Sequence, residues 1–214
     1  VTGTGRDPAT YPDDEKKIGW RDIEGTAEQI RAKGRRALTW AGDVSQADAV
    51  GSLVDLIVKT FGRLDVLVNN AAYPRGNDRV PLPELDEKIW RKVLDIKLTG
   101  AFLLCKRIVP LMVQQKWGRV INLSSIAGKP GSPNTPAYNA ANFGIQGLTQ
   151  SLAMEVARHG VTVNAVCPGT IDTARMDVLG RGDGWPRQPD RIPMGRAASD
   201  EEVAGLIAFL CSPA

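Results

Sequence analysis

Long apolar runs are missing from this sequence. None approaches the roughly 18 residues that a membrane-spanning helix needs, and no charged-then-apolar leader opens the chain. The expectation is a cytoplasmic protein without a membrane partner. Histidine is reduced to one residue, His159, which precedes Gly160 at a helix end, where a cation meets the negative end of the dipole and has a structural role. Cysteine is scarce as well. Cys105, Cys167 and Cys211 are odd in number and widely spaced, with no C-x-x-C pair, so neither a disulfide framework nor a zinc site is encoded. Free thiols in a reducing compartment, and no metal, are expected. Basic runs are also lacking, since the 27 Lys and Arg and 24 Asp and Glu are scattered and leave a net charge of only +3. Without a stripe that could track phosphates, nucleic acid is not expected as a partner.

What is present is enough apolar residue, 43% of 214, for one α/β domain over residues 1–214. Short runs rich in Val, Ile and Leu read as buried strands at Ala37 to Trp40, Leu64 to Val68, Arg119 to Leu123 and Val161 to Val166. Helical spacing fills the intervals: Ile23 to Lys33, Gln46 to Phe61, Leu85 to Lys116 as two helices meeting near Thr99-Gly100, and Ala137 to Arg158. Gly34, Gly62, Gly118 and Gly160 stand where left-handed C-caps would close these helices. Such alternation specifies βαβ units and a parallel, doubly wound sheet with the strands from Leu64, Val120 and Val161 adjacent. Ligands then bind beyond the C-terminal strand ends.

Those ends carry distinctive residues. Asn69-Asn70-Ala71-Ala72 follows one strand, Ser124-Ser125-Ile126-Ala127-Gly128 the next, Tyr138 stands at the head of the following helix, and the last strand leads into Asn164-Ala165-Val166-Cys167-Pro168-Gly169-Thr170-Ile171-Asp172-Thr173. Taken singly, each admits a plainer reading: a turn, a hydroxyl on local backbone, a packed aromatic, a Pro-Gly bend. Taken in order, together with Asp43-Val44, they resemble the classical short-chain dehydrogenase/reductase family over essentially the whole chain. That resemblance implies a Rossmann-type fold and hydride transfer between a nicotinamide dinucleotide and a ketone or secondary alcohol.

Reducing a carbonyl builds negative charge on oxygen, so the chemistry needs a hydrogen-bond donor and an acid. By resemblance Ser125 is the donor and Tyr138 the acid/base. An unperturbed phenol titrates near pH 10, and the family assists it with a lysine one helical turn on, which also binds the nicotinamide ribose. Here that residue is Asn142, able to hydrogen-bond a ribose but uncharged. Where the family places an asparagine, this chain has Lys97, so the two residue types are exchanged. Lys97 has two readings: a group reaching into the site to restore charge, or a solvated helix lysine.

The resemblance assigns further cofactor contacts. Asp43 and Val44 flank the adenine, Asn70 and Ala71 line the dinucleotide path, and Pro168, Gly169, Ile171 and Thr173 meet the nicotinamide. Gly5 occupies the position where an acidic residue would select NAD, and the adjacent Arg6 suits a 2′-phosphate, so NADP is expected, with NAD possible. The family's glycine-rich loop, its first strand and its last strand have no counterpart in the sequence, which is read as part of a longer natural chain with an incomplete sheet. Residues 175–196 correspond to the substrate-binding region. Two functions remain open at this point: an NADP-preferring oxidoreductase acting on a small carbonyl or alcohol, and a non-catalytic relative that binds dinucleotide or partners another subunit. A homodimer or homotetramer is expected, because Phe102, Leu103, Leu104, Phe143, Ile145 and Leu148 exceed one core-facing stripe.

Overall fold

The computed structural model describes residues 2–5, 23–74, 76–173 and 192–213. They fall into two compact units, one within Val1–Gly42 and Gly169–Ala204, the other within Asp43–Pro168 and Gly205–Ala214. In the first unit β1 (Thr2–Gly5) leads through helix α1 (Ile23–Ala32) to β2 (Leu38–Ala41), and the two strands pair in parallel with Gly3 opposite Thr39.

The second unit contains the central βαβ repeat. Helix α2 (Ala47–Phe61) precedes β3 (Val66–Asn69), and α3 (Glu87–Leu94) and α4 (Gly100–Gln115) cross over to β4 (Gly118–Leu123). Helix α5 (Pro136–Val156) then returns the chain to β5 (Val161–Val166). The three strands are parallel in the order β3-β4-β5, the adjacency that the alternation predicts. All six residues of β4 are buried, because this strand has a neighbour on each edge and helices packed against it. β3 lies at the edge of this sheet and alternates, with Leu67 and Asn69 buried and Val66 and Val68 exposed. Back in the first unit, short strands β6 (Ile171–Asp172) and β7 (Ala198–Ser199) pair in parallel, and α6 (Asp200–Leu210) starts there and ends among the residues of the second unit.

One expectation is refined and another corrected. The helices from Leu85 to Lys116 do meet near Thr99-Gly100, but without a gap between them. A π-helical turn over Asp95–Thr99 joins α3 to α4, closed by the Gly100 N–H on the Asp95 carbonyl. Such turns insert one residue without ending the helix and recur at functional sites. Gly118, by contrast, is not a helix cap. Lys116 takes the left-handed conformation at φ 56°, with the Trp117 N–H reaching back to the Met112 carbonyl, and Gly118 already begins β4. Glycine is required there by proximity, since a Cβ would fall 2.6 Å from the Met112 sulfur. Gly34, Gly62 and Gly160 do adopt positive φ as expected. No helix among the described residues is long and apolar enough to cross a membrane.

Candidate active site

The C-terminal end of β4 organises the site. Its last residue, Leu123, and the next, Ser124, receive one group each from neighbouring helices. Lys97, in the π-helical turn, donates from Nζ to the Leu123 carbonyl at 2.8 Å, and the Ser124 hydroxyl donates to the Asn142 carbonyl of α5 at 3.1 Å. The solvated reading of Lys97 therefore does not hold: the side chain is only 6% exposed, and burial pulls its ammonium down to about pKa 8. The exchanged pair is thus anchored on consecutive residues of one strand end.

Asn142 is fully buried. Its amide nitrogen donates 2.8 Å back to the Tyr138 carbonyl, one turn earlier on α5, and its Oδ1 has no hydrogen-bond partner among the described residues. Since only the nitrogen can serve the carbonyl, the orphan is fixed as an acceptor. Ser125 is nearly buried, its Oγ accepts the Ala127 N–H at 3.2 Å, and no described residue accepts its hydroxyl hydrogen. Tyr138, held at the start of α5 behind Pro136, is partly exposed.

The other assigned residues separate into groups. Asp43 accepts both the N–H and the hydroxyl of Ser45 and so braces the entry to α2, while its own side chain stays exposed. Val44 is buried against Gly100, where a Cβ would come within 2.9 Å of the valine methyl. Asn70 and Ala71 are exposed just past β3. Asn69, beside them in the motif, is instead buried. It donates to Asn122 at 2.8 Å, which in turn donates to Thr149 at 2.9 Å, a polar chain that ties β3, β4 and α5 together below the site. The Pro168 carbonyl accepts the Ile126 N–H and ties the loop after β5 to the Ser125 turn. Gly169, Ile171 and Thr173 belong to the first unit, and Ile171 lies in β6. Arg6 and residues 175–191 of the substrate region lie outside the described residues.

One neighbour of Tyr138 escaped the sequence reading. The Arg79 guanidinium carbon lies 3.9 Å from the centroid of the Tyr138 ring, and Asp78 stands 3.3 Å from its Nε. Asp78-Arg79 sits in an aperiodic loop, and nothing in its composition marks it as reaching the head of α5.

Ser125 just past β4, the buried Lys97 amine at the Leu123 carbonyl and Tyr138 at the head of α5 thus lie on the elements that meet at this strand end. The family profile described as enoyl-(acyl carrier protein) reductase matches residues 17–214. The chain belongs to the classical short-chain dehydrogenase/reductase family. It is 40% identical over 190 residues to the 3-oxoacyl-acyl-carrier-protein reductase FabG of Staphylococcus aureus, covering 88% of this chain and 75% of that protein. It is 42% identical over 188 residues to cis-4-hydroxycyclohexanecarboxylate dehydrogenase of Sinomonas cyclohexanicum, covering 88% and 74%. Among solved structures it resembles NAD+-bound xylitol dehydrogenase, with a TM-score of 0.81 and 30% identity over 89% of this chain and 78% of that one. The gox2181 structure gives 0.84 at 28% identity, over 99% and 78%. These relatives place the chain among the dinucleotide-dependent oxidoreductases.

Proposed function

We propose that this chain moves a hydride between NADP(H) and a ketone or secondary alcohol, with Tyr138 as acid/base and Ser125 holding the reacting oxygen. The supporting observation is the site at the end of β4: a serine whose hydroxyl hydrogen no described residue accepts and a buried lysine at one strand terminus, and the tyrosine on the helix that packs there. Relatives named for a 3-oxoacyl group and a hydroxycyclohexane ring act on that class of carbon–oxygen bond.

A dinucleotide fits the residues present, because the orphaned Asn142 acceptor suits a ribose hydroxyl and Asn70 and Ala71 are exposed past β3. When bound, the nicotinamide supplies or accepts the hydride. During reduction Ser125 donates its hydrogen bond to the carbonyl oxygen and stabilises the charge that develops there, while Tyr138 gives its proton to that oxygen. Oxidation runs the same transfers in reverse. Lys97, titrating near 8, exchanges a proton at mildly alkaline pH and brings the site's cation to the end of β4 from the π-helical turn rather than from α5. Asp43 and Val44 are assigned to the adenine side, and Pro168, Gly169, Ile171 and Thr173 to the nicotinamide side.

NADP is preferred to NAD because Arg6 can pair with a 2′-phosphate where Gly5 offers no carboxylate. The protein assembles as a homodimer or homotetramer through the exposed Phe102 and Phe143, each 46% accessible. Light scattering at micromolar concentration tests the assembly.

The uncharged Asn142 favours a second reading, a non-catalytic relative that retains dinucleotide binding. Titration with NADPH and NADH, followed by a ketone screen, separates the two. The oxidoreductase reading expects tighter NADPH binding, lost in Arg6→Ala, and turnover of a ketone. Binding without turnover of any ketone supports the non-catalytic relative.

A further inference from the structure

Arg79 is held on one side only. Asp78, 2% exposed, accepts the Gly76 N–H at 3.0 Å and faces the Arg79 Nε at 3.3 Å, which pins the loop and the inner edge of the guanidinium. The Nε itself is buried and makes no hydrogen bond. No described residue accepts a hydrogen bond from the two terminal nitrogens, and the side chain is 24% exposed. A guanidinium in this state presents a two-pronged donor edge with its orientation already fixed, the geometry that chelates a carboxylate. Its carbon lies over the ring of the acid/base, so an anion held there is within one small molecule's length of the proton that moves.

We propose that Arg79 is a substrate-anchoring residue, and that the substrates of this chain carry a carboxylate a few bonds from the reacting carbonyl or alcohol carbon. This rests on the oxidoreductase reading and adds the substrate class to it. The loop position explains the economy of the design: Asp78 offsets the charge of Arg79 from the inner edge, and an incoming carboxylate engages the outer edge without displacing Asp78. Stacking on Tyr138 keeps anchor and acid/base in register. A cofactor phosphate is the other source of an anion, and the test separates it from a substrate carboxylate.

With saturating NADPH, the full chain is assayed on 4-oxocyclohexanecarboxylate and levulinate against their neutral carboxamides. The acids are expected to have the larger kcat/KM by roughly tenfold or more, the scale of a charge-assisted hydrogen bond. Arg79→Met should erase that preference mainly through a higher KM for the acids, and Arg79→Lys should restore part of it. Equal kcat/KM for acid and amide in the parent chain, or a preference that survives Arg79→Met, overturns the proposal. So does a loss of NADPH affinity in Arg79→Met, which would assign the guanidinium to the cofactor. If no ketone is turned over, the oxidoreductase reading fails, and calorimetry with cyclohexanecarboxylate still decides the anchor: binding to the parent chain and not to Arg79→Met supports it, and equal binding to both or none to the parent overturns it.

Discussion

The ammonium of Lys97 donates to the carbonyl of Leu123 at 2.8 Å, while the next residue, Ser124, is bonded to the backbone of Asn142. Two residues exchanged relative to the family pattern are therefore fastened to the last residue of β4 and the residue that follows it. Moving the lysine from α5 to the π-helical turn keeps one cation at the strand terminus and leaves a neutral amide on the helix of the tyrosine.

Burial of Lys97 has a consequence for stability. Its folded pKa, about 8, lies below the 10.5 of a free lysine, so between these values the unfolded chain binds the extra proton and stability rises with pH. Below about 8 the folded state carries the cost of a buried charge in full. Lys97→Met should therefore be more stable than the parent at pH 7, by on the order of 1–3 kcal/mol. That advantage should shrink as pH approaches 10.5. Urea denaturation of both proteins at pH 7 and pH 10 checks it, and a difference independent of pH contradicts it.

The exchange should also behave as a coupled pair. Asn142→Lys alone puts a second cation into a fully buried position beside the Lys97 anchorage, and Lys97→Asn alone removes the buried charge at the Leu123 carbonyl. The double variant Lys97→Asn/Asn142→Lys should recover stability and activity beyond the sum of the singles, with a coupling of about 1–3 kcal/mol. Additive singles in denaturation would mean that the two sites do not sense each other.

Much of this architecture could be read in the sequence. The β3-β4-β5 strands announced themselves as short runs rich in Val, Ile and Leu, fully buried only in β4, and Gly62 and Gly160 marked helix ends because their left-handed φ excludes most residues. Ser125 and Tyr138 were singled out by their resemblance to the family motifs, and the structure puts one just past β4 and the other at the head of α5. The π-helical turn was not, since an inserted residue preserves helical composition and changes only the hydrogen-bond register. Arg79 was hidden for a different reason: its contact with Tyr138 depends on the path of a loop, which no periodicity encodes. The buried role of Asn69 was not read from the motif: as the last residue of β3 it points into the polar chain with Asn122, whereas Asn70, just past the strand, is exposed.

Gly160 and Gly62 offer a controlled comparison. Both have positive φ, but a Cβ on Gly160 would lie 2.5 Å from the Lys116 carbonyl oxygen, whereas Gly62 has open space around it. Gly62→Ala should cost about 1 kcal/mol from backbone strain alone. Gly160→Ala should cost more, on the order of 2–4 kcal/mol, because it adds a backbone clash. Thermal denaturation of the two variants reads the difference, and equal losses would contradict the close approach of the β4 and β5 entries.

The direct test of the central claim is transfer of deuterium from NADPH deuterated at the nicotinamide C4 to a ketone, followed by mass spectrometry of the alcohol, in the parent chain and in Tyr138→Phe. The account predicts labelled alcohol from the parent and a rate lower by about 10²–10⁴ in Tyr138→Phe, with NADPH binding retained in both. No labelled alcohol from the parent at saturating NADPH, or an undiminished rate in Tyr138→Phe, would contradict it.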